Sequence, residues 1–149
     1  MTPQELAAKV GEHIGTSEWV EMTQERINQF AEATGDHQFI HVNEEAAKMT
    51  PFGGTIAHGF LTLSMIPYLT ANSDVPRLDG IKMAVNYGGN KTRIINPVPS
   101  GKRIRAHYKQ LEMVEKRPGQ WQQTNEITIE IEGEDKPALI CEWMTMYFV

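Results

Sequence analysis

The chain has 149 residues, a net charge of −5 and 40% hydrophobic residues. This length predicts one domain over residues 1–149, and the composition is ordinary for a globular protein. The acidic balance argues against nucleic acid as a partner. The single cysteine, Cys141, excludes an intramolecular disulfide and a cysteine-rich zinc site. No stretch has the length of a membrane span or the apolar core of a signal peptide, so we expect a cytoplasmic protein without a membrane partner.

The first third of the chain predicts short helices with recognisable ends. Thr2–Glu5 has the pattern of a capping box with proline at the first helical position. Thr23 is placed to cap a second helix, which Gly35 would end, and Asn43 is placed to cap a third. Between Gly35 and Asn43 the pattern is neither that of a helix nor that of a strand.

The segment from Thr55 to Thr70 predicts a helix that is buried on nearly every side. Its apolar residues fall on all faces instead of forming one stripe, as expected for a helix covered all round. These residues are Ile56, Phe60, Leu61, Leu63, Met65, Ile66 and Leu69. Pro67 is expected to kink or end the last turn.

The second half of the chain predicts antiparallel strands, because apolar and polar side chains alternate. Strands are expected over residues 81–87, 92–95, 102–115, 121–132 and 138–148. The alternation shifts phase at Leu111, which indicates a bulge. The last segment is apolar on both faces, as in a central strand.

These elements together predict an α+β fold, in which an antiparallel sheet wraps around one long central helix and short helices precede it. One helix cannot cover both faces of a sheet whose last strand is apolar on both sides. We therefore expect a homodimer.

Two residues with proton-transfer chemistry stand five positions apart, Asp36 and His41. Alone, Asp36 could be a turn residue and His41 a hydrogen-bonded structural histidine. The apolar Phe39 and Ile40 between them predict that the segment enters the protein and takes both polar side chains with it. An acid beside an imidazole is the arrangement required for general acid–base catalysis.

A histidine–glycine pair, His58-Gly59, comes near the start of the apolar helix. We expect His58 to hold the adjacent loop through a hydrogen bond. Gly59 would let a carbonyl group approach the backbone N–H groups of the first helical turn, which favour a developing oxyanion. Close packing of the helix against a strand is an equally good explanation of the glycine.

Metal and phosphate sites are less well supported. His37 and His41 have the spacing of metal ligands on a helix, but no third ligand is evident, so we expect no metal. Five basic residues of the predicted strands could meet phosphate groups of a large substrate, although a solvated strand face explains most of them better. They are Lys91, Arg93, Lys102, Arg103 and Arg105.

These motifs resemble the signature of the MaoC-like, R-specific enoyl-CoA hydratases, also called the hydratase 2 type. The family pattern, G-D-x-N-P-[LIV]-H and then P-[IV]-[AV]-H-G, is similar to ATGDHQFIHV and FGGTIAHGFLTLS in this chain. The later stretch NYGGNKTRIINPVPSGKRIRA resembles the NodN-like branch of the family.

The resemblance implies a hotdog fold over residues 1–149 and a dimer. It implies reversible hydration of trans-2-enoyl-CoA to (R)-3-hydroxyacyl-CoA without a cofactor, the acyl group being carried by CoA or acyl carrier protein. Asp36 and His41 match the catalytic pair, and Gly59 matches the backbone oxyanion donor. Ser64 lies where some members carry a site serine. Gln38 replaces the common Asn of the motif, a change that keeps the amide's hydrogen-bonding groups.

Two other classes share the predicted fold. A hotdog acyl-CoA thioesterase would place its carboxylate on the central helix, and residues 55–70 contain no Asp or Glu. A non-catalytic acyl-thioester-binding protein would not need the Asp36–His41 pair.

Overall fold

The computed structural model describes all 149 residues and has helices mainly in the first half and long strands in the second. The helices are α1 (Pro3–Ala7), α2 (Gln24–Thr34), α3 (Phe39–Val42), α4 (Glu44–Ala47), α5 (Gly59–Ser64) and α6 (Ile66–Ala71). The strands are β1 (His13–Thr16), β2 (Val20–Glu21), β3 (Met83–Ile94), β4 (Arg103–Arg117), β5 (Gln120–Ile131) and β6 (Leu139–Phe148). The α+β class predicted from the sequence is confirmed.

The predicted helix ends are confirmed by their hydrogen bonds. The Thr2 hydroxyl accepts from the Glu5 N–H while the Glu5 carboxylate accepts from the Thr2 N–H, which completes a capping box. At the start of α2 the Thr23 hydroxyl accepts a hydrogen bond from the Arg26 N–H. Gly35 ends α2 with a φ of 83°, a left-handed conformation that glycine adopts without strain. This stop fixes where the chain leaves α2 and therefore where Asp36 lies.

All strands belong to one antiparallel sheet in the order β1-β4-β5-β6-β3, with β2 also pairing with β4. The expected bulge at Leu111 is confirmed, since the β4–β5 register shifts between Gln110 and Glu112. Strand β6 lies between β5 and β3, as its two apolar faces indicated. The prediction of separate strands at 81–87 and 92–95 is wrong, because two register shifts accommodate the interruption within the single strand β3.

The central helix is shorter than predicted and consists of two consecutive six-residue segments, α5 and α6, which meet at Met65. Pro67 lies in the first turn of α6, where its missing N–H costs no hydrogen bond. Residues 55–58 precede the helix as extended chain. Of the expected buried residues, Phe60 is 70% exposed and Leu63 is only half-buried, so the helix is not covered on every side.

The main core lies where α2, α5 and α6 pack on the inner face of the sheet. It contains 19 buried residues, among them Ile27, Leu69 and Ile129. A hydrogen bond of 2.9 Å joins the Tyr108 hydroxyl in β4 to the Thr70 hydroxyl in α6. Burial raises the pKa of Tyr108 to about 12, so this phenol stays neutral and hydrogen-bonded at physiological pH. No helix of the structure combines the length and the apolar composition that crossing a membrane requires.

Neighbouring residues of α5 provide a test of this packing. Leu61→Ala removes a side chain that is 4% exposed, and we expect it to lower the free energy of unfolding by about 2–5 kcal/mol. Phe60→Ala removes a larger side chain that is 70% exposed, and we expect a loss of about 0.5 kcal/mol or less. Urea denaturation of both variants measures the difference, and equal losses would contradict the described burial.

Candidate active site

Asp36 and His41 lie on either side of a sharp change in chain direction after α2. The expectation of an irregular segment is wrong for residues 39–42, which form the one-turn helix α3. One turn is too short to give a periodic sequence pattern. His41 is 7% exposed, whereas Asp36 is exposed to solvent, so only the imidazole enters the protein as expected. Phe39, expected to point inward, is 47% exposed.

The hydrogen bond of His41 fixes its tautomer. Its Nδ1 lies 2.7 Å from the backbone carbonyl oxygen of Ile56, and a carbonyl oxygen can only accept. Nδ1 therefore carries the proton. In the neutral ring Nε2 is left with a free lone pair, and it makes no hydrogen bond within the chain. The geometry thus presents Nε2 of His41 as a base.

His58 supports both members of the pair. Its Nε2 donates to the backbone carbonyl oxygen of Asp36 over 3.0 Å, which ties the loop after α2 to the start of α5. Its ring stacks on His41, with ring centroids 3.9 Å apart, and Phe30 packs against it at 4.8 Å. His58 is 2% exposed and its Nδ1 has no hydrogen-bond partner.

The side chains of Asp36, His41 and His58 place one potential metal-ligand atom each within 4.8 Å of one another. The sequence did not indicate His58 as the third member, because it lies 17 positions after His41. His37, which has the spacing of a ligand, instead lies 3.6 Å from Glu32. The two imidazoles are inclined by only 24° and stacked. Lone pairs of stacked rings lie in separate planes and do not converge on one ion, so the arrangement suits proton transfer better than metal binding.

Gly59 begins α5, and its N–H is one of the donors that a helix leaves without an internal partner. A Cβ atom at this position would lie 2.6 Å from Cδ1 and 3.1 Å from Cγ2 of Ile94 in β3. Close packing against a strand therefore accounts for the glycine. The two explanations of Gly59 are compatible, because one concerns its backbone N–H and the other the space beside its Cα.

A cavity of about 190 Å³ brings His41 and Gly59 together. Sequence reasoning missed the remaining lining, which comes from the loop before α5, from α5 itself, from the end of β3 and the chain after it, and from the residue before β6. These residues are Phe52, Ile56, Ala57, Thr62, Ile94, Ile95, Asn96, Pro97, Val98 and Ala138. Only Thr62 had a sequence signal, because it lies one helical turn after Gly59.

The other expected site residues lie outside this cavity. Gln38 is exposed and caps α3 only through its backbone, while its N–H lies 3.3 Å from the Asp36 carboxylate. Ser64 lines a second cavity, of about 380 Å³, which also includes Cys141. Burial raises the pKa of the Cys141 thiol to about 11, which keeps it neutral and therefore a poor nucleophile at neutral pH.

Three of the five basic residues considered for phosphate binding are engaged with acids. Lys91 lies 3.6 Å from Glu142, Arg105 donates to Glu130 over 2.7 Å, and Arg103 pairs with Glu132. The hydrogen bond from Arg105 is the main cause that lowers the pKa of Glu130. These pairs fit the expected solvated strand faces.

Comparison with known proteins identifies both the fold and the family. The MaoC-like dehydratase from Rhodospirillum rubrum superposes with a TM-score of 0.77 at 24% identity, covering 99% of this chain and 97% of the other. The (R)-hydratase from A. caviae involved in PHA biosynthesis gives a TM-score of 0.72 at 22% identity, covering 91% and 94%. The fold is therefore the hotdog fold of these proteins.

The model of the MaoC like domain matches residues 5–132, and the chain belongs to this family. It is 47% identical to 3-hydroxyacyl-thioester dehydratase Z of Mycobacterium tuberculosis over 143 residues, which cover 96% of this chain and 93% of that protein. It is 42% identical to Nodulation protein N of Rhizobium leguminosarum bv. viciae, with coverage of 95% and 88%. The resemblance drawn from the motifs is confirmed.

The contact between Gly59 and Ile94 can be measured through stability. Gly59→Ala places a methyl group against Ile94 and should cost about 1–3 kcal/mol of the free energy of unfolding. In the Ile94→Ala background the same change should cost at least about 1 kcal/mol less, because the colliding atoms are gone. Denaturant unfolding of the four proteins completes the cycle, and additive losses would show that the two residues do not touch.

Proposed function

We propose that the chain is an enzyme that reversibly hydrates trans-2-enoyl thioesters to (R)-3-hydroxyacyl thioesters. The observation that carries the proposal is the free Nε2 of buried His41 in one cavity with the N–H of Gly59. Family membership supports it, and so does the name of its relative, a 3-hydroxyacyl-thioester dehydratase. A CoA or acyl carrier protein thioester is then the substrate, and the mechanism needs no cofactor.

In this proposal Asp36 and His41 act on one water molecule. The pair accepts a proton from the water as the water oxygen attacks C3 of the enoyl group. In this scheme a proton returns to C2 from the same side, because the carboxylate of Asp36 and the imidazole of His41 lie close together. The two groups lie within 4.8 Å of each other, so we treat them as a coupled pair and do not divide the protons between them.

The thioester oxygen gains negative charge when water adds to C3. We propose that the N–H of Gly59 donates a hydrogen bond to this oxygen in the enolate-like transition state. His58 is a positioning residue in this scheme, because it contacts His41 and the Asp36 backbone.

The thioesterase alternative is less well supported. The helix that begins at Gly59 carries no acidic residue in α5 or α6. The buried thiol of Cys141, with its raised pKa, is unsuited to form an acyl-enzyme. A binding protein without activity would have no need for the free nitrogen of His41 in the cavity.

Conservative variants of the pair test the proposed chemistry. We expect Asp36→Asn and His41→Gln each to lower the turnover of crotonyl-CoA by about 10²–10⁴-fold, the usual contribution of general acid–base catalysis. The double variant should lose far less than the product of the single losses, because the two residues act as a unit. His37→Gln is the matched control, since His37 is exposed and lies next to Asp36.

Folding of each variant is checked by circular dichroism and turnover by the absorbance of the enoyl thioester. If folded Asp36→Asn and His41→Gln hydrate crotonyl-CoA within threefold of the parent, the hydratase proposal fails. A thioesterase or binding role would then be the better explanation.

We also propose a homodimer formed through β3. This strand is at the edge of the sheet, and all 12 of its residues are exposed, including Met83, Val85 and Tyr87. A long exposed edge strand with apolar side chains is a template for pairing with another strand. A second copy of β3 would extend the sheet and satisfy the free backbone groups.

Sedimentation equilibrium tests this assembly. We expect the parent to have twice the monomer mass at micromolar concentration. Tyr87→Lys introduces a charge at the edge and should weaken the dimer at least about tenfold, since like charges face each other in a symmetric pair. Met49→Lys changes an 88% exposed side chain in the turn after α4, outside the sheet, and should leave the dimer intact. A monomeric parent, or equal behaviour of both variants, would contradict the proposal.

A further inference from the structure

The cavity at His41 and the larger second cavity share the same two walls. The first lies between Gly59 and Thr62 of α5 and the end of β3 at Ile94. The second lies between Ser64 in the last turn of α5 and the preceding part of β3. Ser64 is five positions after Gly59 in the helix, which corresponds to a rise of about 7.5 Å. The two cavities are therefore consecutive spaces along one cleft.

The contact between Ile94 and Gly59 lies between the His41 cavity and the second cavity. Ile94 lines the first cavity, and Thr92, two positions earlier in β3, lines the second. Three carbon atoms of the Ile94 side chain reach within 3.4 Å of where a Cβ of Gly59 would be. The side chain thus bridges from β3 to α5 and closes the cleft.

From this geometry we propose that Ile94 determines acyl-chain length, by separating the catalytic cavity from the second cavity. The inference rests on the proposed function and extends it to a substrate class. With Ile94 in place, the space at His41 is about 190 Å³, which suits a short enoyl group. When the Ile94 side chain is removed, the second cavity of about 380 Å³ becomes available to a longer chain.

The residues that line the cleft indicate which end would hold the carrier of the thioester and which end the acyl chain. On the side of Phe52, the His41 cavity borders an open depression in which half of the lining residues are polar, among them Glu44, Lys48 and Ser100. This end suits the polar carrier of the thioester. The second cavity is lined by Leu63, Ile66, Pro67, Cys141 and Trp143 together with a few polar groups. This end suits hydrocarbon, because burying apolar surface is favourable.

Ile94 can be changed without loss of the core. Its side chain is 52% exposed and is not a member of the main buried cluster. It also carries no group that could exchange a proton. A change of substrate preference is therefore separable from a change in chemistry or folding.

Three variants measure the effect. Ile94→Ala opens the boundary, and Ile94→Val removes only Cδ1, the atom closest to Gly59. Ile140→Ala is the matched control. Ile140 lies in the neighbouring strand β6, where it pairs with Arg93 of β3, and it lines neither cavity. For each protein kcat/KM is measured with crotonyl-CoA and with trans-2-octenoyl-CoA.

We expect the parent to prefer crotonyl-CoA. Ile94→Ala should raise the ratio of octenoyl to crotonyl kcat/KM by about tenfold or more, since single methylene groups in apolar pockets change such ratios by about 10–200-fold. Ile94→Val should give a smaller increase, and Ile140→Ala none. A parent that prefers octenoyl-CoA, or a folded Ile94→Ala protein with the parental ratio, overturns the inference while the hydratase function stands.

Affinity provides a second measurement that does not depend on turnover. Calorimetry with butyryl-CoA and octanoyl-CoA should show the same shift towards the longer chain in Ile94→Ala. If the parent hydrates no enoyl-CoA, the proposed function fails, and the affinities alone decide the inference. A shift then supports the role of Ile94 in an acyl-binding protein, and an unchanged affinity ratio overturns it.

Discussion

The hydrogen bond from Nδ1 of His41 to the carbonyl oxygen of Ile56 is the constraint on which the site depends. Without it, either ring nitrogen could carry the proton, and the free lone pair would have no fixed direction. The acceptor is itself held in place, because the Ile56 N–H donates to the Ile40 carbonyl and the Ala57 N–H donates to Val98. The backbone before α5 thus positions the base, and α3 and the connection between β3 and β4 hold that backbone in place.

The sheet contributes more than support, because β3 takes part in three features of the molecule. Its inner face closes the cleft through Ile94, its free edge is exposed, and its continuity requires Lys91 at a φ of 50°. A left-handed non-glycine residue is uncommon and occurs here where the β3–β6 register shifts between Asn90 and Arg93. Thr92 and Ile94 are two positions apart and line the cleft on the same side, as the alternation of side chains along a strand requires.

Much of the fold could be predicted because its signals are local. The caps at Thr2 and Thr23, the stop at Gly35 and the phase shift at Leu111 each depend on residues close in sequence. The spacing of Asp36 and His41 indicated the candidate site for the same reason. The motif resemblance then added the hotdog fold, which local patterns alone did not specify.

The features that the sequence could not show depend on contacts between distant residues. Phe60 has the character of a core residue, but nothing within one chain covers its side of α5. The stack of His58 on His41 joins positions 17 apart in the sequence, and the contact of Gly59 with Ile94 joins a helix to a strand. Asp36 and the next three residues stay exposed, and the chain turns inward only from Ile40 onwards.

In the proposed mechanism, water and a proton are added to one face of an enoyl thioester by Asp36 and His41, whose carboxylate and imidazole atoms lie within 4.8 Å of each other. The most direct test of this mechanism is the incubation of crotonyl-CoA with the protein in D₂O, followed by proton NMR and chiral analysis of the product. The expected product is (R)-3-hydroxybutyryl-CoA with one deuterium at C2, on the same face as the new hydroxyl group. Release of free CoA, formation of the S product, or recovery of unchanged crotonyl-CoA would contradict the account.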